Sequence, residues 1–408
     1  MSKNDKRHAI APRMRFPEFI DSEGWARVTV ADAVKTVTPP KKLKTSQYAK
    51  AGPYPVIDQS ADASCGWTDD EEAIIRKPLP MIVFGDHTCI IKKVDTPFAQ
   101  GADGIKILVG CNGFDTDFLY QLLCSRPLKS ESYKRHFSKL KLVEVPRPPS
   151  PGEQRKIAEC LGSLDDLIAA ESRKLAALRD HKKGLMQQLF PREGETRPRL
   201  RFPEFRDAGE WSRSSCADIA TVKQGYGFPD RFQGGRTGKY PFYKVSDISQ
   251  AVERGQQHIS DANNYIDDEV LTELSARPVP VGTIIFAKIG EAIRSNRRVV
   301  TTKPAVIDNN VAGIKATKGK VSDDFLYYLW STVSLIDHAG GVVPAVTKSA
   351  LESVPLTYPS RPEEQQRIAD CLASLDTTTA AQAERLEALR THKRGLMQQL
   401  FPSPEHHE

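Results

Sequence analysis

The sequence predicts an α+β chain: two homologous α/β domains separated by two long antiparallel coiled-coil helices, related by an internal pseudo-two-fold repeat. Three observations carry this. Residues 151–190 (PGEQRKIAECLGSLDDLIAAESRKLAALRDHKKGLMQQLF) match residues 362–401 at 25 of 40 positions without a gap. A shorter head, RMRFPEFIDSEGW at 13–25, returns as RLRFPEFRDAGEW at 199–211. Between head and repeat, thinner similarity keeps the same order in both copies, as internal duplication requires.

Taken along the chain, the pairs are Gly52-x-Tyr54-Pro55 with Gly238-x-Tyr240-Pro241, IVF at 82–84 with IIF at 284–286, GIK at 104–106 with GIK at 313–315, and DFLYQL at 117–122 with DFLYYL at 324–329. The offset grows from 186 to 211, so the second copy carries about 25 more residues, most of them between Tyr243 and Thr283. The expected division is 1–150 for the first head and variable domain and 151–190 for the first helix. Residues 191–361 then hold a linker, the second head and the second variable domain, and 362–408 the second helix and tail.

Each repeated segment carries apolar residues at alternating spacings of four and three, a coiled-coil period. The first seam reads Ile157, Leu161, Leu164, Ile168, Glu171, Leu175, Leu178, Lys182, Leu185, Leu189; the second reads Ile368, Leu372, Leu375, Thr379, Gln382, Leu386, Leu389, Lys393, Leu396, Leu400. Proline at the start and Phe-Pro at the end bound each helix. A helix of about 36 residues is roughly 54 Å long. Each stripe can be buried against the other, and a local two-fold makes the pair antiparallel, throwing the variable domains to opposite ends. In that register Glu171 or Gln382 is expected to approach a lysine, which gives the buried polar positions a registry role.

The variable stretches, 26–150 and 212–361, read as short β-runs broken by Gly and Pro (PMIVFGD, CIIKKV, TIIFAKI, RRVVTT), with a helix at each DFLY segment. Turn-rich parts hold basic, amide and aromatic residues suited to contacting DNA. In the first domain these are Lys41, Lys42 and Lys44 after a Pro-Pro pair, then His87 and Thr88. In the second they are Lys223, Gln224, Tyr226, Tyr243, Lys244, Lys348 and the cluster Arg294, Asn296, Arg297, Arg298. With 18 basic and 14 acidic residues in the first stretch and 18 and 15 in the second, neither is a saturated basic face. That balance suits base readout by loops better than wholesale phosphate coating.

Composition and missing motifs narrow the function. The chain has a net charge of +6, 27% charged residues and no long apolar run, which excludes a membrane protein, and without an apolar leader it is expected in the cytoplasm. Its seven cysteines stand singly, with no spacing for zinc or disulfide chemistry, so no metal is expected. His87 beside Asp86 suggests an acid–base pair, but the second copy has AKIG at that place, and a duplicated enzyme would repeat its acid and base. The Pro-Pro pairs read TPPK and RPPS, which denies an amino-methyltransferase tetrapeptide, and GGRTGKY at 234–240 lacks the spacing and hydroxyl of a phosphate-binding loop. A nuclease or methyltransferase in its own right is therefore disfavoured. A pure scaffold would explain the helices but not why two domains on one frame diverge.

With the duplicated EQ-x-x-IA-x-CL-x-SLD helix starts, the FPEF heads and GKYPFYKVSDI at 238–248, the chain resembles the specificity subunit of type I restriction-modification systems over essentially its whole length. The resemblance implies two target-recognition domains, each reading one half of a split, asymmetric double-stranded DNA sequence, with the helices setting the gap. It implies two modification subunits clasped against those helices, which bind S-adenosylmethionine and methylate adenine at N6. A restriction subunit that hydrolyses ATP with Mg2+ can join. This chain itself would bind no cofactor and catalyse nothing.

Overall fold

The computed structural model of the chain describes residues 10–102, 104–131 and 134–402. They fall into two compact units, one running to Glu171 and resuming at Leu386, the other spanning Ser172–Arg385. Each long helix passes from one unit to the other.

In the first unit, strand Ala26–Thr29 pairs antiparallel with Glu144–Arg147, so the chain leaves the domain beside where it entered. Between them lie two four-stranded sheets. One is antiparallel, ordered Val34–Val37, Ile105–Gly110, Met81–Gly85, Ile91–Val94. The other runs Gly66–Thr68, Tyr54–Ile57, Phe98–Gln100, Ile74–Ile75 and contains one parallel pairing, Val56 opposite Ala99. The continuous apolar run at 81–85 is the strand buried on both faces, as such runs predict. The DFLY segment forms helix Thr116–Ser125, capped by the Asp115 carboxylate, which accepts from the Phe118 N–H at 2.9 Å.

The second unit repeats this plan. Ser212–Ser215 pairs with Pro355–Tyr358. The main sheet, ordered Ala220–Gln224, Val311–Ala316, Ile284–Ala287, Arg298–Thr301, His258–Ile259, has five strands because the insertion adds the last one. The smaller sheet keeps the parallel pairing, now Phe242 opposite Val306. The rest of the inserted length forms helices Val245–Glu253 and Asp268–Glu273. The DFLY helix is Asp323–Ser331, capped by Ser322.

The long helices run Pro151–Leu189 and Pro362–Leu400. In the first unit the start of the first helix lies against the end of the second: Ile157 and Leu161 share a core with Met397, Leu400 and Phe401. In the second unit the roles exchange, with Ile368 and Leu372 against Leu189 and Phe190. The pairing is antiparallel in both. Every seam residue is buried or half-buried. The expectation for the polar seam positions needs correction. The lysines pair not with Glu171 or Gln382 but with aspartates off the seam: Lys393 with Asp165 at 2.5 Å and Lys182 with Asp376. The same aspartates accept from the DFLY helices, Gln121 Nε2 donating to Asp165 at 2.7 Å and Tyr328 Oη to Asp376 at 2.8 Å. One carboxylate thus ties helix to helix and domain to helix pair.

The head motif now has a physical reason. Arg15 donates Nε and Nη2 to the two Glu153 oxygens at 2.7 Å each, and Trp25 Nε1 adds a third bond at 3.3 Å. In the second copy Arg201 reaches Glu364 at 2.7 and 2.8 Å, with Trp211 Nε1 at 3.1 Å. Both carboxylates are 1% exposed. A forked donor on a buried carboxylate is the geometry that offsets its desolvation. The heads therefore lock the helix starts. Next to them, the Met14 N–H donates to the Gln399 carbonyl at 3.0 Å, and the Leu200 N–H to the Gln188 carbonyl at 2.9 Å.

The end of the repeat, LMQQLF, serves the opposite copy. Phe190, closing the first helix, packs on Trp211 and Phe325 of the second domain. Phe401, closing the second helix, packs edge-on against Phe118 of the first domain. Each helix starts on its own domain and finishes in the core of the other, so the closing residues must be alike. Among the described residues, no helix is long and apolar enough to cross a membrane.

Candidate nucleic-acid interface

Most of the polar residues expected to meet DNA lie on the loops of the two α/β domains, and the structure sorts them. In the first domain Lys41, Lys42 and Lys44 are exposed beside Leu43, whose N–H donates to the Gln100 carbonyl at 3.0 Å. Lys41 Nζ also meets Asp70 at 2.6 Å. His87 and Thr88 are exposed on the short turn between Met81–Gly85 and Ile91–Val94. Gln59 organises that turn: its Oε1 accepts from the His87 N–H at 3.3 Å, and its carbonyl from Thr88 Oγ1 at 2.9 Å. Asp86 is buried and accepts from the N–H groups of His136 and Phe137, which fastens the loop after the DFLY helix to the same turn.

In the second domain the loop KQGYGF at 223–228 is held close to the parallel pair. A Cβ on Gly225 would stand 1.9 Å from the Asp308 carbonyl, so only glycine fits. The loop presents Lys223, Gln224 and Tyr226, all half-buried, and Gln224 Oε1 accepts from Lys288 Nζ at 2.5 Å. Burial holds the Lys288 ammonium below the ordinary lysine range, with the Asp308 carboxylate opposing that shift. Lys244 donates to Gln233 at 2.8 Å and lies over the Phe228 ring. Lys348 is exposed at the start of helix Lys348–Ser353, 3.4 Å from Glu352.

Two expected DNA contacts are corrected. Tyr243 is wholly buried; its hydroxyl donates to the Ile259 carbonyl at 3.2 Å, and burial pushes its pKa up. Arg298 is 6% exposed. Its guanidinium donates to the Trp330 carbonyl, to the Val333 carbonyl at 3.0 Å and to Asn296 Oδ1 at 2.5 Å. The two carbonyls lie at the end of helix Asp323–Ser331, where free carbonyls favour a cation. Burial pushes the Arg298 pKa down to about 10, so it remains charged at neutral pH. The RSNRR cluster is thus not one surface. Arg294 is exposed and paired with Glu291 at 2.9 Å, Arg297 meets Glu253 at 2.8 Å, and Asn296, left-handed at φ 51°, holds the turn through the Val333 carbonyl.

Sequence reasoning missed Gln59, Lys288, Gln233 and the turn at 340–345. Lys288 lies in the AKIG segment, and its partner Gln224 is 64 residues away in sequence. It also missed a cleft of about 1270 Å³ in the second unit, with Phe190, Leu329 and Leu356 among its apolar walls. Arg179, Lys183, Arg192, Arg199 and Arg213 line it, and none of these makes an ion pair among the described residues. With Glu193 and Asp337 as the acidic residues of the same lining, the cleft keeps an excess of positive charge, which attracts anions without regard to base sequence.

Comparison with known proteins agrees with this geometry. Residues 208–391 match the family described as Type I restriction modification DNA specificity domain. The MjaX type I specificity subunit of Methanocaldococcus jannaschii is 25% identical over 290 residues, which cover 69% of this chain and 64% of that protein's length. The EcoR124I/EcoR124II specificity subunit of Escherichia coli is 23% identical over 378 residues, 88% of each chain. The crystal structure of a type I S subunit from M. genitalium superposes with a TM-score of 0.66 at 15% identity, covering 97% of this chain and all of that one, which supports the fold. Family match over 208–391, relatives along most of the length and the twice-built frame agree: the chain is similar to the specificity subunits of type I restriction-modification systems.

Proposed function

We propose that this chain is the non-catalytic DNA-reading subunit of a cytoplasmic type I restriction-modification complex. Each α/β domain reads one half of a bipartite, asymmetric duplex sequence, and the helix pair sets the gap. The carrying observation is that one frame is built twice, with the same head lock, helix caps and parallel strand pair, while the loops on it differ in chemistry: His87 and Thr88 on one turn, the longer 288–297 segment on the other. Loops that differ on one frame suit two different half-sites, since base edges are discriminated by side-chain donors, acceptors and apolar groups.

The remaining partners follow from the family reading. Two modification subunits would dock on the helix pair, carry S-adenosylmethionine and methylate one adenine in each half-site. A restriction subunit with ATP and Mg2+ would join that core. Sequencing of modified bases in host DNA tests the proposal: the expected result is a split motif with unlike halves, a fixed gap and one modified adenine in each half. A single contiguous motif or a perfect palindrome would overturn it. Exchanging 212–361 for the matching segment of another member should change one half-site only; a change in both would show that the domains do not read independently.

A further inference from the structure

In both domains the loop after the DFLY helix is pinned to the turn after the central strand, and the two copies place opposite chemistry there. In the first, the His136 N–H donates to the Asp86 carbonyl at 2.8 Å, and Ser130 Oγ to the His87 carbonyl, also at 2.8 Å. The described part of that loop exposes Lys129, Lys134 and Arg135, with Glu131 paired to Lys134 at 3.2 Å, and keeps a net positive charge. In the second, the Gly290 N–H donates to the Pro344 carbonyl at 2.7 Å, and the Val346 N–H to the Lys288 carbonyl at 2.9 Å. Gly340 and Ala345 exchange N–H···O bonds of 3.0 and 3.1 Å, which closes a tight turn, and Gly341 at φ 88° supplies the left-handed step. At its tip Val342 is fully exposed and Val343 62% exposed. An adjacent pair of exposed apolar side chains at the tip of a closed turn is a candidate contact surface.

We propose that Val342 and Val343 form an apolar tip that enters the major groove of the half-site read by the second domain and packs against thymine C5 methyl groups. The proposal rests on that domain being the reader of one half-site. Three observations point to this occupant. The corresponding loop of the first domain is cationic, so that place on the frame suits a polyanion, and the same partner would meet the valines in the second. Lys288 is tied to the pinned turn by its backbone carbonyl, which accepts from the Val346 N–H, while its ammonium donates to Gln224 Oε1 and so links the 223–228 loop to the same turn. The thymine methyl is the apolar group that the major groove presents. A turn closed by its own ladder and β-branched side chains restricted at χ1 would lose little further freedom on docking.

The test uses the complex assembled with its partner subunits. Once the split sequence has been selected, each thymine of the second half-site is replaced in turn by deoxyuridine, which removes only the methyl. At one or two positions the replacement should weaken binding about fourfold per methyl, the equivalent of one buried carbon. The exposed double variant Val342→Ser/Val343→Ser should keep its melting temperature, bind thymine and deoxyuridine duplexes alike, and leave first-half selectivity intact. The tip reading is overturned if deoxyuridine has no effect at any thymine of that half-site, or if the variant still prefers thymine. It is also overturned if the variant binds the deoxyuridine duplex far more weakly than the wild-type complex binds that same duplex, as loss of an intercalating wedge would produce. A wild-type complex that selects no bases in that half instead overturns the reader assignment on which the tip depends.

Discussion

Replacing Glu153 with alanine will lower the stability of the first unit by about 3–5 kcal/mol, the range for removing one partner of a buried ion pair. Glu364→Ala will do the same in the second unit. The magnitude comes from what is left behind. Arg15 keeps its bonds to the carbonyls of Ser22 and Glu23 at 2.8 and 3.3 Å but loses its counter-charge, and the Trp25 N–H loses its acceptor. Arg201 likewise keeps Ala208 and Gly209. Glu153→Gln, which retains one acceptor, should fall between. The paired change Arg15→Met/Glu153→Leu should recover much of the loss, because two apolar groups leave no orphaned charge. Urea unfolding followed by tryptophan fluorescence reads this directly, since Trp25 and Trp211 touch the two pairs. An unchanged midpoint for Glu153→Ala would mean that the head does not hold the helix start.

Arg298→Leu will destabilise the second domain by about 3 kcal/mol or more, from two buried carbonyls losing their donor at about 1–3 kcal/mol each. Exposed Arg294→Ala will change stability by less than about 0.5 kcal/mol. Arg298→Lys retains the charge but not the planar fork that spans Trp330, Val333 and Asn296, so it should rescue only part of the loss. Thermal unfolding of the three variants gives the ranking. If Arg298→Leu melted normally and lost only DNA affinity, the guanidinium would be a DNA contact after all, and its burial would be misleading.

The frame was legible in the sequence because it is repeated. The 4-3 seam, the caps and the order of paired motifs all survive in both copies, and each has one structural cause. The partners of the seam lysines were not legible. Asp165 and Asp376 lie one residue after seam leucines, and only the rotation of the facing helix decides that they, rather than Glu171 or Gln382, meet Lys393 and Lys182. The site was less legible still. An arginine in a turn-rich cluster reads the same whether it caps a helix, as Arg298 does, or faces solvent, as Arg294 does. Tyr243 followed a similar course: a tyrosine beside a lysine looks like a recognition pair until the parallel strand at 306–307 covers it. The apolar tip at 342–343 was not legible because a Val-Val pair in sequence reads as a buried strand until the turn that exposes it is known.

The bonds from Met14 to Gln399 and from Leu200 to Gln188 occupy equivalent places in the two copies. In the second, the backbone also bridges that contact through 189–199; in the first, the contact is made through space. Residues 14 and 399 are therefore neighbours in the first unit, as 200 and 188 are in the second. A short linker from residue 402 to residue 10, with a new opening among residues 191–198, gives a circular permutant in which the second head and domain precede the first. That permutant should retain both cores and melt within a few degrees of the parent, and it should select the same two half-sites in the same spatial order, although the order in which they are encoded is reversed. Failure to fold would show that the linear order of the copies, and not only their contacts, is needed to assemble the frame.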